Sequence, residues 1–257
     1  MFAATAAPHP APHLVHYLPI ASTLICIAFL IVLTKRASKR GWAPHMIWWG
    51  IGVATYGLGT LFESIITLNG NSQLMNTLWL WAGAVLGGYP LATGSLYLLA
   101  PKKTAHILTA ISMAFIVVTS VLVFIAPVEP AAAEAVRPSG SFIVEDWQWV
   151  RLMSIPINIY AAIFLIGGAA YSSFRFAFPE RDPNTGQKTP RNSQRALGTG
   201  FIAVGALLPG IGGGMAKGGI TEALYIGEFV GIILIWIGNE LCIKAPKSAP
   251  APLPEAS

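Results

Sequence analysis

Charged side chains are scarce in this sequence. They make up 11% of its 257 residues, against about 25% in an ordinary soluble domain. With 54% of residues hydrophobic, that deficit excludes a soluble globular chain and leaves a membrane protein. Cysteine is almost missing. Cys26 and Cys242 both lie in apolar runs, so no disulfide framework is expected. Neither Gly-x-Ser-x-Gly nor His-Glu-x-x-His occurs, which removes the common nucleophilic and zinc hydrolase patterns. No enzyme is expected. Histidine is absent from the middle of every apolar run, where facing ligands to a haem or metal would stand. His9, His13 and His16 cluster near the N-terminus, His45 and His106 at run ends. The first three are expected in a mobile solvated tail, and no cofactor or metal is expected. The start also lacks a positive n-region, and its first apolar run ends in Lys35-Arg36. That is a stop-transfer pattern rather than a cleavable signal.

What is present is a series of long apolar runs. About 20 apolar residues at 1.5 Å rise span a bilayer core. Seven helices are expected, over residues 15–34, 45–68, 75–100, 104–126, 147–172, 196–215 and 222–244. The fold class expected is an all-α membrane protein, a seven-transmembrane helix bundle spanning 15–244. It is flanked by a disordered extracytoplasmic segment, 1–14, and a disordered cytoplasmic tail, 245–257. Pro90, Pro156 and Pro209 are expected mid-helix in the third, fifth and sixth helices, and no internal repeat is visible.

Basic residues give the orientation. One set of loops, with the C-terminus, holds Lys35, Arg36, Lys39, Arg40, Lys102, Lys103, Arg175, Arg181, Lys188, Arg191, Arg195, Lys244 and Lys247. The other side holds Arg137, Arg151 and Lys217. Cytoplasmic loops carry the excess of Lys and Arg, so the N-terminus is expected outside and the C-terminus in the cytoplasm. The 128–146 loop, with Glu129, Glu134, Glu145 and Asp146, is then expected to face outward. Localisation follows as multi-pass in a cell membrane, the inner membrane of a bacterium.

Helical spacing supplies the candidate site. Residues seven apart lie on one face of a helix. Trp49, Tyr56 and Glu63 share that spacing in the second helix, with Thr60 and Thr67 beside them, and Arg151 and Asn158 share it in the fifth. Tyr225 and Glu228 are three apart in the seventh. A charge at the bilayer centre costs roughly 2.5 kcal/mol or more, so a helix that keeps one faces protein or trapped water. Glu63, Arg151 and Glu228 are expected at similar heights in the outer half, lining one polar cavity. The candidate ligand-binding set is Tyr56, Glu63, Trp79, Arg151, Asn158, Tyr225 and Glu228. Each has a plainer reading beside it. Glu63 can be solvated near the interface, Arg151 can snorkel as an anchor, and Asn158 can bond a neighbouring helix. Glu222 and Glu240 read as interfacial. Most tryptophans stand near helix ends, as in an aromatic belt.

Several segments together resemble uncharacterised seven-helix membrane proteins of bacteria. They are Gly57-x-Gly59-Thr60-x-x-Glu63, Leu78-Trp79 with Gly83-Ala84, Leu96-Tyr97-Leu98-Leu99, Ser173-Phe174-Arg175 and Tyr225-x-x-Glu228-x-x-Gly231. The resemblance implies the helical architecture and no activity. The topology is also similar to opsins and receptors, but the seventh helix has no central lysine for a retinal Schiff base. It resembles, too, the sensor regions attached to bacterial signalling proteins. Three functions fit these features. The first is a small-molecule binding or sensing protein that signals to a separate cytoplasmic partner. The second is a proton-coupled transporter using Glu63 and Glu228. The third is an accessory subunit of a larger membrane complex. The lipid bilayer, a small-molecule ligand and a cytoplasmic or membrane protein are the expected partners; nucleic acid is not.

Overall fold

The computed structural model describes residues 13–178, 191–220 and 222–246. Most of the two terminal segments expected to be disordered, and Arg181 and Lys188 of the basic loop, lie outside the described residues. Among the described residues the secondary structure is helical, apart from an isolated bridge between Val128 and Ile143. Among these residues, six helical stretches are long and apolar enough to cross a bilayer: Leu14–Arg40, Pro44–Asn69, Lys102–Ile125, Glu145–Ala177, Ser193–Lys217 and Glu222–Lys244.

Within them, α1 is Leu18–Arg40 and α2 is Pro44–Asn69. Pro44 opens α2, where a missing N–H costs nothing. The next stretch differs from the continuous helix expected over 75–100. It consists of α3, Gln73–Leu80, a π-helical turn, Trp81–Leu86, and α4, Tyr89–Leu99. The break falls at Gly87, where a Cβ would stand 2.2 Å from the Gly83 carbonyl oxygen. Pro90 therefore sits in the first turn of α4 rather than mid-helix. The peripheral α5, Lys102–Ile125, carries an exposed apolar face of Ile107, Ile111, Val118 and Val121, as a membrane-spanning helix would.

The stretch Glu145–Ala177 is also composite. A 3₁₀ segment, Glu145–Met153, leads into α6, Ser154–Ala161, a π turn, Ala162–Gly167, and α7, Gly168–Ala177. Pro156 thus lies in the first turn of α6. Pro209 is inside α8, Ser193–Lys217, as expected. The last helix, α9, is Glu222–Lys244.

The α8–α9 crossing fixes the position of α9. Gly198, Gly205 and Gly212 recur every seven residues on α8 and meet Gly238, Gly231 and Ala223 of α9. A methyl group built on Gly205 would stand 2.6 Å from the Gly231 oxygen, and one on Gly231 2.6 Å from the Gly205 oxygen. The backbones themselves are in contact, as small residues allow in membrane helices. One buried apolar cluster, around Phe29, Val53, Leu91, Ile232 and Ile235, joins α1, α2, α4, α8 and α9. A second, around Leu80, Tyr89, Val123, Ile143 and Val150, joins α3, α4 and α5 to the 127–153 segment.

Candidate functional site

The seven-residue stripe of α2 faces the interior. Trp49, Thr60 and Glu63 are all buried, and Glu63 is only 1% exposed. The α8 seam holds α9 so that Glu228 meets Glu63, carboxyl to carboxyl. Trp79 of α3 donates its indole N–H to Glu63 Oε1 at 2.7 Å. The Tyr56 hydroxyl donates to the Glu228 carbonyl oxygen at 2.7 Å and so links α2 to α9. Beside them the Thr23 and Thr60 hydroxyls, 2.9 Å apart, join α1 to α2. Oε2 of each glutamate is sealed from solvent and has no hydrogen-bond partner among the described residues. Ionised carboxylates only accept hydrogen bonds. Two of them brought together repel, whereas a proton between them supplies the missing donor and removes one charge. No Lys or Arg among the described residues forms an ion pair with either carboxyl.

Five residues of the expected set therefore come together: Tyr56, Glu63, Trp79, Tyr225 and Glu228. Tyr225 is buried on α9, with its ring edge-on to His16 at 5.9 Å. Arg151 and Asn158 do not join them. Arg151 donates to Gln148 Oε1 at 2.7 Å and flanks Gly140 in the loop segment. Asn158 is exposed on α6. Their seven-residue spacing crosses from 3₁₀ to α geometry at Ser154. A 3₁₀ turn holds 3.0 residues rather than 3.6, so the shared-face rule fails there.

A lid of polar contacts covers this end. His16 is 3% exposed, which corrects its expected place in a solvated tail. Its backbone carbonyl accepts from Thr67 at 3.1 Å, and its Nε2 meets Arg137 Nη2 at 2.6 Å. Arg137 also pairs with Glu222 at 2.8 Å. The 127–153 segment is an ordered cap. Asn76, fully buried, donates to the Ser139 carbonyl at 3.0 Å and accepts from the Ser139 N–H at 2.8 Å. Gln73 donates to the Val128 carbonyl at 2.6 Å. Sequence reasoning missed Arg137 and Asn76. One stands in a loop and the other is an uncharged residue in a helix, and nothing in their spacing marks them.

The carboxyl pair is enclosed rather than open. An open cavity of about 780 Å³ lies at the opposite end. It is formed where the ends of α1, α2, α4, α7, α8 and α9 converge. Its inner wall includes Trp49 and Ile202 of the first apolar cluster. Beside it, Arg36 Nη2 pairs with Glu240 at 2.7 Å and Nη1 donates to Asn239 at 3.2 Å. No protein-family model, curated protein or solved structure matches this chain.

Proposed function

We propose that this chain is a seven-helix integral membrane protein, N-terminus outside and C-terminus cytoplasmic, that works as a proton-coupled carrier. Glu63 and Glu228 share the proton and release it when the bundle rearranges. The observation that carries this reading is the carboxyl pair itself: two acids from α2 and α9, buried together without a cation, each with a sealed oxygen lacking a partner. Buried intramembrane acids are costly and are kept for function. The cap on one side and the cavity on the other support a carrier caught open to one face. The asymmetry of the basic residues supports the cytoplasm as that face. A receptor that binds without translocating is the second reading. It is favoured by the ordered cap, which Asn76 pins closed.

The test is flux in proteoliposomes holding a pH-sensitive dye, under voltage clamp, with dicarboxylates and monophosphate esters as added solutes. A carrier makes at least one solute drive proton movement, and Glu63→Gln and Glu228→Gln bring it to the protein-free rate while leaving the protein folded. Wild-type coupling in both variants overturns the role of the pair. Solute binding without any flux selects the receptor.

A further inference from the structure

The cavity at the basic end is built for a ligand of one charge sign. Among the described residues, Arg36, Arg40, Arg195 and His45 line it, and no aspartate or glutamate does. Arg36 is already engaged by Glu240. Among the described residues, Arg40 and Arg195 have no acidic partner. Arg195 instead rests over the Phe176 ring at 5.7 Å, a contact that holds the guanidinium at the wall and leaves its donors open. Such a fork of N–H donors matches a carboxylate or phosphate head. The remaining wall is mostly apolar, with Leu33, Leu98, Phe176 and Ile202 reaching down to Trp49. The Trp49 indole N–H is buried and has no hydrogen-bond partner among the described residues. A volume of about 780 Å³ falls in the range of small-ligand sites, about 300–1,000 Å³.

We infer that this cavity binds an amphipathic anion, its carboxylate or phosphate head held by Arg40 and Arg195 and its apolar body along Leu98, Phe176 and Trp49. Two sources share that chemistry, a soluble organic anion and the head group of an anionic lipid. Binding stands on the cavity alone; that the anion is the transported solute rests on the carrier reading above.

The experiment is calorimetric titration of the full chain in phosphatidylcholine nanodiscs with octyl phosphate as probe and octyl glucoside as its uncharged counterpart. Octyl phosphate is expected to bind saturably and octyl glucoside at least tenfold more weakly. Arg40→Gln/Arg195→Gln should weaken octyl phosphate at least tenfold, and so should Thr199→Phe, which fills the cavity from α8. Glu228→Gln should bind it as wild type does, so failure of the carboxyl-pair reading leaves this result untouched. Nanodiscs containing phosphatidylglycerol separate the sources. Competition with the probe there assigns the site to a lipid head group, and unchanged binding assigns it to a soluble anion. Either outcome supports an anion site. The inference is overturned if wild-type protein, with its normal melting transition, does not bind octyl phosphate. It is also overturned if the glucoside binds equally, or if neither the double arginine variant nor Thr199→Phe weakens binding.

Discussion

A single methyl group at the α8–α9 seam should loosen the protein and shift Glu228. In Gly231→Ala the new Cβ stands 2.6 Å from the Gly205 oxygen and 3.2 Å from the Pro209 ring, and in Gly205→Ala it stands 2.6 Å from the Gly231 oxygen. A carbon and a carbonyl oxygen ordinarily approach to about 3.3 Å. The helices must therefore part locally by several tenths of an ångström, and both obstructing groups are backbone or ring atoms that cannot swing away. Overpacking of this kind costs about 1–3 kcal/mol. At roughly 2–4 °C per kcal/mol for a chain of this size, melting in detergent should fall by several degrees in each variant. Gly210→Ala and Gly213→Ala serve as controls, because a Cβ at either position meets nothing within 4 Å. They should match wild type or gain up to about 1 kcal/mol from better helix propensity. The assay is thermal unfolding followed by tryptophan fluorescence. Equal losses at Gly210, Gly213, Gly205 and Gly231 would refute backbone contact as the basis of the seam. Glu228 lies between Gly227 and Gly231, both at the seam, so on the carrier reading the proton flux of Gly231→Ala should fall as well.

Two other outcomes follow from the buried polar contacts. Glu63→Gln keeps an acceptor for the Trp79 indole and adds an N–H donor toward Glu228, so melting should hold or rise while proton flux is lost. Glu63→Ala leaves the Trp79 N–H without its partner and opens a cavity, so it should lose about 1–3 kcal/mol; a Glu63→Gln protein less stable than Glu63→Ala would contradict the facing-carboxyl geometry. Asn76→Ala removes both bonds to Ser139. The amides of 127–146 should then exchange with deuterium at least tenfold faster while those of α8 and α9 stay protected, and uniform exchange across the chain would show that Asn76 does not anchor the cap.

Helix positions were legible where one geometry runs unbroken. The apolar run at 222–244 is α9, Glu222–Lys244, residue for residue. The stripe Trp49, Tyr56, Glu63 turns inward because α2 is α-helical throughout. The first helix runs six residues past its apolar part to Arg40, since lysine and arginine are good helix formers whose stems lie along apolar surface. Periodicity failed where the backbone changes pitch. The 3₁₀ segment before Ser154 rotated Arg151 away from the site, and the π turn with Gly87 broke a stretch that hydropathy reads as one rod. The seam was half visible. Gly227 and Gly231 stand out at four-residue spacing, but the seven-residue row of Gly198, Gly205 and Gly212 becomes meaningful only against its α9 partners.

The long-range polar contacts were beyond reach for a different reason. Arg137, His16 and Glu222 meet from a loop, an N-terminal turn and the start of α9, and no periodic rule links three such places. Their meeting changes the electrostatics of the site. The cation expected beside the carboxyls was Arg151; Arg137 instead pairs with Glu222 in the cap, and Glu63 and Glu228 have each other. A carboxyl pair neutralised by arginine would keep its charge through a conformational cycle. On the carrier reading, one neutralised by a shared proton changes charge when the helices part and water reaches the separated carboxyls. Motion of α9 against α2 and proton release are, on that reading, the same event.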